Sequence, residues 1–270
     1  TVFNLANNFQ SFAVGIIGIS FAIAAFPTLS EAAHRNDRAD MLRHFSDTVR
    51  QILLFIIPAT ILFLFLRAQI VRVVLGTGAF DWSATERTAD TLAFFALSLG
   101  AQSLIPLLAR VFYAYRDTVT PFVIGLISVG MNIGFALWLA GPYDVRGLAL
   151  AFSAASTMQV VLLWVALRVK FGSLDEERIV RSLYKMAVAA IGMAVVIQLL
   201  KVPLESVFGT TTFLGIFAQG LIAGLAGCVV YGTIGILLRN EEITVFVNSL
   251  HKKFFRSFFP KESADEATGP

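Results

Sequence analysis

Charge is what this chain has least of. Asp, Glu, Lys and Arg make up 14% of its 270 residues, where a water-soluble domain carries about 25%. That shortage excludes a globular shell, because too little polar surface exists to cover one. Cysteine is nearly missing too: the single Cys228 lies in an apolar run, so neither a disulfide framework nor a cysteine-based metal site is available. Histidine is scarce, and His34, His44 and His251 all sit in polar segments. The sequence holds no Gly-rich phosphate loop, no metal-spaced acidic pair and no nucleophile elbow. Asp175-Glu176-Glu177 lies beside Arg178 and Arg181 with no second acidic motif to face it, and reads as a solvated linker. No Asp or Glu falls in the middle of an apolar stretch, and buried ionisable groups are the usual marks of ion coupling in a membrane. The chain therefore does not read as an enzyme. Nothing in it calls for a cofactor, a metal or a nucleic-acid partner.

What it has instead is apolar length. Fifty-seven per cent of residues are hydrophobic, mean hydropathy is +0.76 and Phe alone accounts for 25 positions. Seven apolar stretches stand out, at roughly 9–29, 51–75, 91–113, 121–140, 147–167, 183–200 and 213–238. Each approaches the ~20 residues that cross a hydrocarbon core of about 30 Å. Helices follow, because an open strand edge in lipid leaves backbone groups unpaired. The fold class is thus an all-α polytopic membrane protein with about seven transmembrane helices. Pro58 and Pro106 fall inside spans as kink points, and Pro27 and Pro121 lie near span ends. Span two reads as one long tilted helix whose Arg67 and Arg72 snorkel to the interface.

Two amphipathic segments flank the spans. Met41, Leu42, Phe45 and Val49 recur at helical spacing opposite Arg43, Asp47 and Arg50; Phe246, Leu250, Phe254 and Phe258 do so beside Lys252, Lys253 and Arg256. Both read as helices lying in the interface. Residues 261–270 have nothing to bury and read as a disordered tail. The chain opens Thr1-Val2-Phe3 without an initiator Met or a basic region before an apolar core. This is the form of an entry in mid-protein, with further sequence expected upstream.

Charge then predicts orientation. With seven alternating spans, 16 of the 21 Lys and Arg residues fall on one side, and Arg67, Arg72, Arg87, Arg146 and Lys201 on the other. The positive-inside rule makes the richer side cytoplasmic, with the N-terminus outside and the C-terminus inside.

The polar content of the spans is amide and hydroxyl: Gln102, Ser103, Asn132, Ser153, Ser156, Thr157, Gln159, Gln198 and Gln219. Such residues either bond helix to helix, with small residues such as Gly125, Ser128, Gly220, Gly224 and Gly227 allowing close packing, or line a polar cavity. Two local patterns are more specific. Gly76-Thr77-Gly78-Ala79-Phe80-Asp81 is a Gly-punctuated turn after span two. Arg110-Val-Phe-Tyr-Ala-Tyr-Arg-Asp-Thr-Val-Thr-Pro121 closes span three, with Asp117 or Thr118 placed to cap the next helix and Pro121 in its first turn. Arg110 and Arg116 either hold an anionic headgroup or snorkel.

Those two patterns join the opening Asn4-Leu-Ala-Asn7-Asn8-Phe-Gln10-Ser11-Phe-Ala-Val-Gly-Ile16 and Ala25-Phe-Pro-Thr-Leu-Ser30. Phe112-Tyr113 through Asp117-Thr118-x-Thr120-Pro121, supported by Gly76-x-Gly78-Ala79-Phe80, is the most telling run. Together they resemble the C-terminal half of the MurJ (MviN) family of lipid II flippases, in the MOP exporter superfamily, over residues 1 to about 240.

The resemblance implies a fourteen-helix architecture: two six-helix lobes in a V, plus two helices that make a lipid groove. Residues 1–182 would be the C-terminal transport lobe, 183–240 the two groove helices, and 241–270 a cytoplasmic amphipathic segment and tail. It implies a bacterial plasma-membrane location, and as partners lipid II, membrane lipids and a missing N-terminal lobe. The implied activity moves the undecaprenyl-pyrophosphate-linked cell-wall precursor from the inner to the outer leaflet by alternating access. Another lipid-linked glycan, a drug-like cargo or a non-transporting scaffold are the alternatives. Asn7, Asn8, Ser11, Arg110 and Arg116 are the substrate-binding candidates on this basis, with Gly76, Gly78, Phe80, Asp117, Thr118 and Pro121 as structural motif. Many members carry an arginine where this chain has Asn8, which can hydrogen-bond a headgroup but adds no charge. Some members bind sodium in the fourth and fifth spans counted here. Asn132 matches that site, but Ala136 one turn on supplies no carboxylate, which speaks against sodium coupling.

Overall fold

The computed structural model describes residues 2–75, 82–209 and 212–246. Every regular element among them is helical. Helix α1 (Val2–Val14) passes through a π turn at Gly15–Ile19 into α2 (Ser20–His34), one rod of 33 residues. At about 1.5 Å per residue, such a rod exceeds the hydrocarbon thickness. A tight turn follows at Asn36, whose φ is +53°, and Asp37 caps α3 (Arg38–Phe65) by accepting from the Asp40 N–H at 3.0 Å.

Helix α3 corrects the first amphipathic segment. Met41, Phe45 and Val49 do repeat on one helical face, but they belong to α3 itself and are buried in the protein. Phe45 packs on Trp164 with ring centroids 5.7 Å apart. The apolar stripe meets neighbouring helices, so no separate interfacial helix forms there.

Span two is corrected as well. The helix breaks at Leu66 (φ −105°, ψ 14°) and restarts as α4 (Arg67–Leu75). The break turns Arg67 towards Asp90, 3.5 Å away. Span three is also a broken rod: α5 (Trp82–Ala96) and α6 (Leu99–Ala114) meet at 45°. Ser98 at the joint is fully buried and donates its hydroxyl to the Phe95 carbonyl at 2.9 Å.

Helix α7 (Val119–Phe171) is continuous for 53 residues except at Asp144, where φ is +52° and ψ −134°. A straight helix that long reaches about 80 Å, far more than a bilayer core. It is two antiparallel arms instead: Ser128 of the first donates to the Ala155 carbonyl of the second at 3.2 Å, and Gly147 lies directly on the Leu139 carbonyl. Only a residue without Cβ fits there. Helices α8 (Glu176–Phe208) and α9 (Phe213–Leu237) form the last pair. Counting α7 twice and α5–α6 as one bent span, the described residues hold seven membrane-length segments.

The core is narrow and the shell apolar, the reverse of a soluble protein. Small residues lie at the crossings: a Cβ on Gly18 would stand 2.6 Å from Ser103 Cα, and one on Gly227 2.8 Å from Ile197. Gly220 and Gly224 face α3 and α4 in the same way, at 3.3 Å from Gln69 and 3.4 Å from Leu66. Close backbone approach drives helix association where the surroundings are as apolar as the side chains. Outward, Phe12, Leu137, Trp138, Leu199 and Leu214 are all more than two-thirds exposed, as lipid-facing positions require. The connectors at 35–37, 115–118, 172–175 and 238–240 share one end of the bundle, here termed the basic end, and the connector at 141–146, with Gly209 at the end of α8, lies at the other.

Candidate functional site

Several polar groupings interrupt the apolar body among the described residues. The first joins α1, the α5–α6 joint and the second arm of α7. Gln10, 1% exposed, and Gln102 face each other amide to amide: Gln102 Nε2 donates to Gln10 Oε1 at 2.9 Å, and Gln10 Nε2 to Gln102 Oε1 at 3.3 Å. Gln10 also donates to Asn7 Oδ1 at 3.0 Å, and Gln102 to Ser98 Oγ at 2.7 Å. Ser153 bonds Ser98 at 3.0 Å and the Phe94 carbonyl at 2.8 Å. Such a chain satisfies donors and acceptors that hydrocarbon would leave bare.

Beside it lies a cavity of about 230 Å³, where Gln102, Ser128, Asn132, Ser156 and Gln159 supply the polar wall. Gln102 belongs to both, so the relay and the cavity form one neutral polar surface. Asn132 sits on that wall among amides and hydroxyls. Asn8 and Ser11 lie on the exposed face of α1 with Asn4, away from the relay that holds Asn7.

The arginine candidates stand elsewhere. Arg110 follows Gln102 by eight residues of α6, about 12 Å along the helix, and Arg116 lies beyond the end of α6. Arg110 buries its Nη1 without a hydrogen-bond partner, while Arg116 is exposed with φ +58°. The structure therefore divides the five candidates between two depths. Gly76, Gly78 and Phe80 lie outside the described residues, as do residues 247–270.

The Asp117 connector is a staple. Asp117, rather than Thr118, caps α7: its carboxylate accepts from the Thr120 N–H at 3.1 Å and hydroxyl at 3.0 Å, with Pro121 in the first turn. Lys170, at the far end of α7, donates to Asp117 at 2.7 Å and lies over the Phe112 ring at 5.7 Å. The Lys170 hydrogen bond, then the Thr120 N–H, holds the Asp117 carboxyl down at about 2, below its usual 3.8. A lowered carboxyl stabilises the fold above its ordinary pKa and loses that effect as pH falls to the folded value. Asp117→Asn is thus expected to melt below wild type at pH 6, with the two converging as pH is lowered through about 4 to about 2. A difference independent of pH would show that the charge does no stapling.

The third grouping, at the basic end, was not legible as a site. Arg50 is 4% exposed and pairs with Asp47 and with Glu242, which lies 192 residues on. Ser182 donates to Glu242 at 2.8 Å, and Asn240 caps residues 242 and 243 through their N–H groups at 3.0 and 3.2 Å. Arg178 binds Glu241 at 3.0 Å, which holds the Glu241 carboxyl below its usual range. The repeat of α3 put Arg50 on the polar face with Arg43 and Asp47, so nothing local marked it as a buried ion-pair partner. Gln10 had a plainer signal, an amide inside an apolar run.

The family profile described as lipid II flippase MurJ matches residues 1–219. The probable lipid II flippase MurJ of Thermotoga maritima is 26% identical over 243 residues, covering 90% of this chain and 46% of the relative. That of Rickettsia prowazekii is 31% identical over 159 residues, 59% of this chain and 31% of the relative. The solved structure of lipid II flippase MurJ in an inward closed conformation superposes with a TM-score of 0.65 at 24% identity, covering 85% of this chain and 46% of the other. That likeness shows a shared fold. The chain spans at most about half the length of these relatives.

Proposed function

Because the chain belongs to the lipid II flippase MurJ family, we propose that it forms the C-terminal lobe and groove helices of a flippase for an undecaprenyl-pyrophosphate-linked peptidoglycan precursor. The family match across residues 1–219, which takes in the first six spans, carries this reading. Residues 1–182 act as the lobe, 183–240 as the lipid groove, and 241–270 as a segment at the cytoplasmic surface. An N-terminal lobe completes the cavity, and the two alternate between inward and outward openings.

The physical task is to bring a diphosphate across hydrocarbon, where a bare charge costs several kcal/mol or more. A wetted wall lowers that cost. The neutral surface of Asn7, Gln102, Asn132 and Gln159 suits the sugar and peptide hydroxyls and amides of the headgroup, with Asn8 and Ser11 on the adjoining face. Arg110, with a buried nitrogen lacking a protein partner, suits the diphosphate, and Arg116 the approach to it. Such chemistry is binding and release, with no bond made or broken.

In proteoliposomes the complete protein is expected to move labelled lipid II between leaflets. Arg110→Ala is expected to slow it by about tenfold, the size of one lost charge-assisted hydrogen bond. Thr233→Ala, on an exposed face of α9, leaves the rate alone. Equal rates in all three would remove Arg110 from the cargo path, and no movement by the complete protein would sink the cargo assignment.

The same reading puts the basic end in the cytoplasm, on the strength of the charge bias. With Cys228 replaced by Ala, a cysteine at Thr212 is expected to react with an impermeant maleimide in intact cells, and one at Asn36 only after permeabilisation. The opposite pattern inverts the topology.

A further inference from the structure

Helix α3 carries a proline at position 58. Proline has no N–H, so the carbonyl four residues back, that of Leu54, loses its regular helical donor. Leu54 is buried, and a buried carbonyl left bare is costly. The structure supplies a donor from another helix. Tyr231 of α9, itself buried, gives its hydroxyl to the Leu54 carbonyl at 3.2 Å. The two residues are 177 positions apart, so no local pattern foretells the bond.

Gly220, Gly224 and Tyr231 lie on one face of α9 by helical spacing. Gly220 meets Gln69 of α4, and Gly224 meets Leu62 and Leu66, where α3 breaks. Helix α9 therefore touches the α3–α4 rod at both of its irregular points, the proline turn and the break. Contact through glycine lets backbones approach but has no preferred register. A hydrogen bond to one particular carbonyl does, and on this face Tyr231 makes it. Arg50 stands one turn of α3 nearer the basic end, but its partner Glu242 follows α9 rather than belonging to it. Helix α8 goes with α9, because Gly227 lies against Ile197 and Met193.

We propose that Tyr231 is a positioning residue, which holds the last helix pair in register with the proline turn of α3. Its hydroxyl satisfies the carbonyl that Pro58 frees and, by the same bond, ties α9 to the lobe. The consequence for transport rests on the groove assignment above: a groove tied in this way moves with the lobe rather than apart from it.

The test is a double-mutant cycle on the complete protein in detergent, with Cys228 replaced by Ala. Tyr231→Phe is expected to lower the melting temperature by a few degrees, because it strands the Leu54 carbonyl and leaves the ring in place. Pro58→Ala restores the backbone N–H that bonds Leu54 in a regular helix. In that background Tyr231→Phe is expected to cost much less. An equal loss in both backgrounds overturns the claim that the hydroxyl replaces the missing donor. Register is read separately, from spin-label distances. The distance between labels at Val229 and Tyr113, exposed on α9 and α6, is expected to broaden in Tyr231→Phe with either residue at position 58. That between Val229 and Val202, on α9 and α8, is expected to stay as it is. A melting effect with no change between α9 and α6 overturns the positioning role. Neither measurement involves transport, so a protein that moves no lipid II fails the reading above and leaves this test in force.

Discussion

Arg50→Ala is expected to destabilise the complete protein by about 3 kcal/mol, the usual cost of breaking a buried ion pair from one side. Its partner Glu242 has a side chain only 7% exposed. Without Arg50 that carboxylate keeps the Ser182 hydroxyl at 2.8 Å but loses its countercharge. Arg50→Leu with Glu242→Leu is expected to recover most of the loss, because two apolar groups leave no charge stranded. Thermal unfolding in detergent measures both. The location makes the effect large: Arg50 is on α3, Ser182 on α8 and Glu242 in the segment after α9. One guanidinium therefore closes the last helix pair against the rest of the bundle. A melting temperature unchanged in Arg50→Ala would mean that water reaches the pair and screens it.

Gly18→Ala is the second large effect. The added Cβ would meet Ser103 Cα at 2.6 Å and its carbonyl oxygen at 2.7 Å, both backbone atoms of the crossing helix. Overpacking a tight crossing costs about 1–3 kcal/mol, and more where no rotamer change can relieve it. Ser103→Gly removes only the Cβ at 2.9 Å, so it is not expected to rescue the variant. Gly192→Ala is the contrast. There the obstacle is the tip of the Ile234 side chain, which can rotate away, so that substitution is expected to be mild. Protein yield and melting temperature separate the two, and equal effects would contradict a backbone clash at Gly18.

Much of the candidate site could be read in the sequence only as an inventory. Gln102, Asn132, Ser153, Ser156 and Gln159 stand out as amides and hydroxyls in apolar runs, and periodicity leaves open whether they bond helices or line a cavity. The structure shows both, with Gln102 as the hinge between them. The cap was readable as Asp117 or Thr118 because capping is local, and the structure selects Asp117. Its pairing with Lys170, 53 positions on, was not. The stripe of Met41, Phe45 and Val49 was read correctly as a helix and wrongly as an interfacial one. An apolar face looks the same whether lipid or protein covers it.

Hydropathy by itself determined that this protein spans a membrane in about seven passes, since runs of some twenty apolar residues have no other stable home. It also determined the uneven sharing of basic residues between the two ends. Hydropathy also placed the break between spans four and five, where Asp144 leaves the helix. Tertiary structure alone decided that span two breaks at Leu66, which glycine a neighbouring backbone touches, and which distant charges meet. Span formation is a one-dimensional property, paid residue by residue to the bilayer. Register, close approach and ion pairing depend on atoms tens to hundreds of positions apart, and nothing local in the chain encodes which of them will face each other.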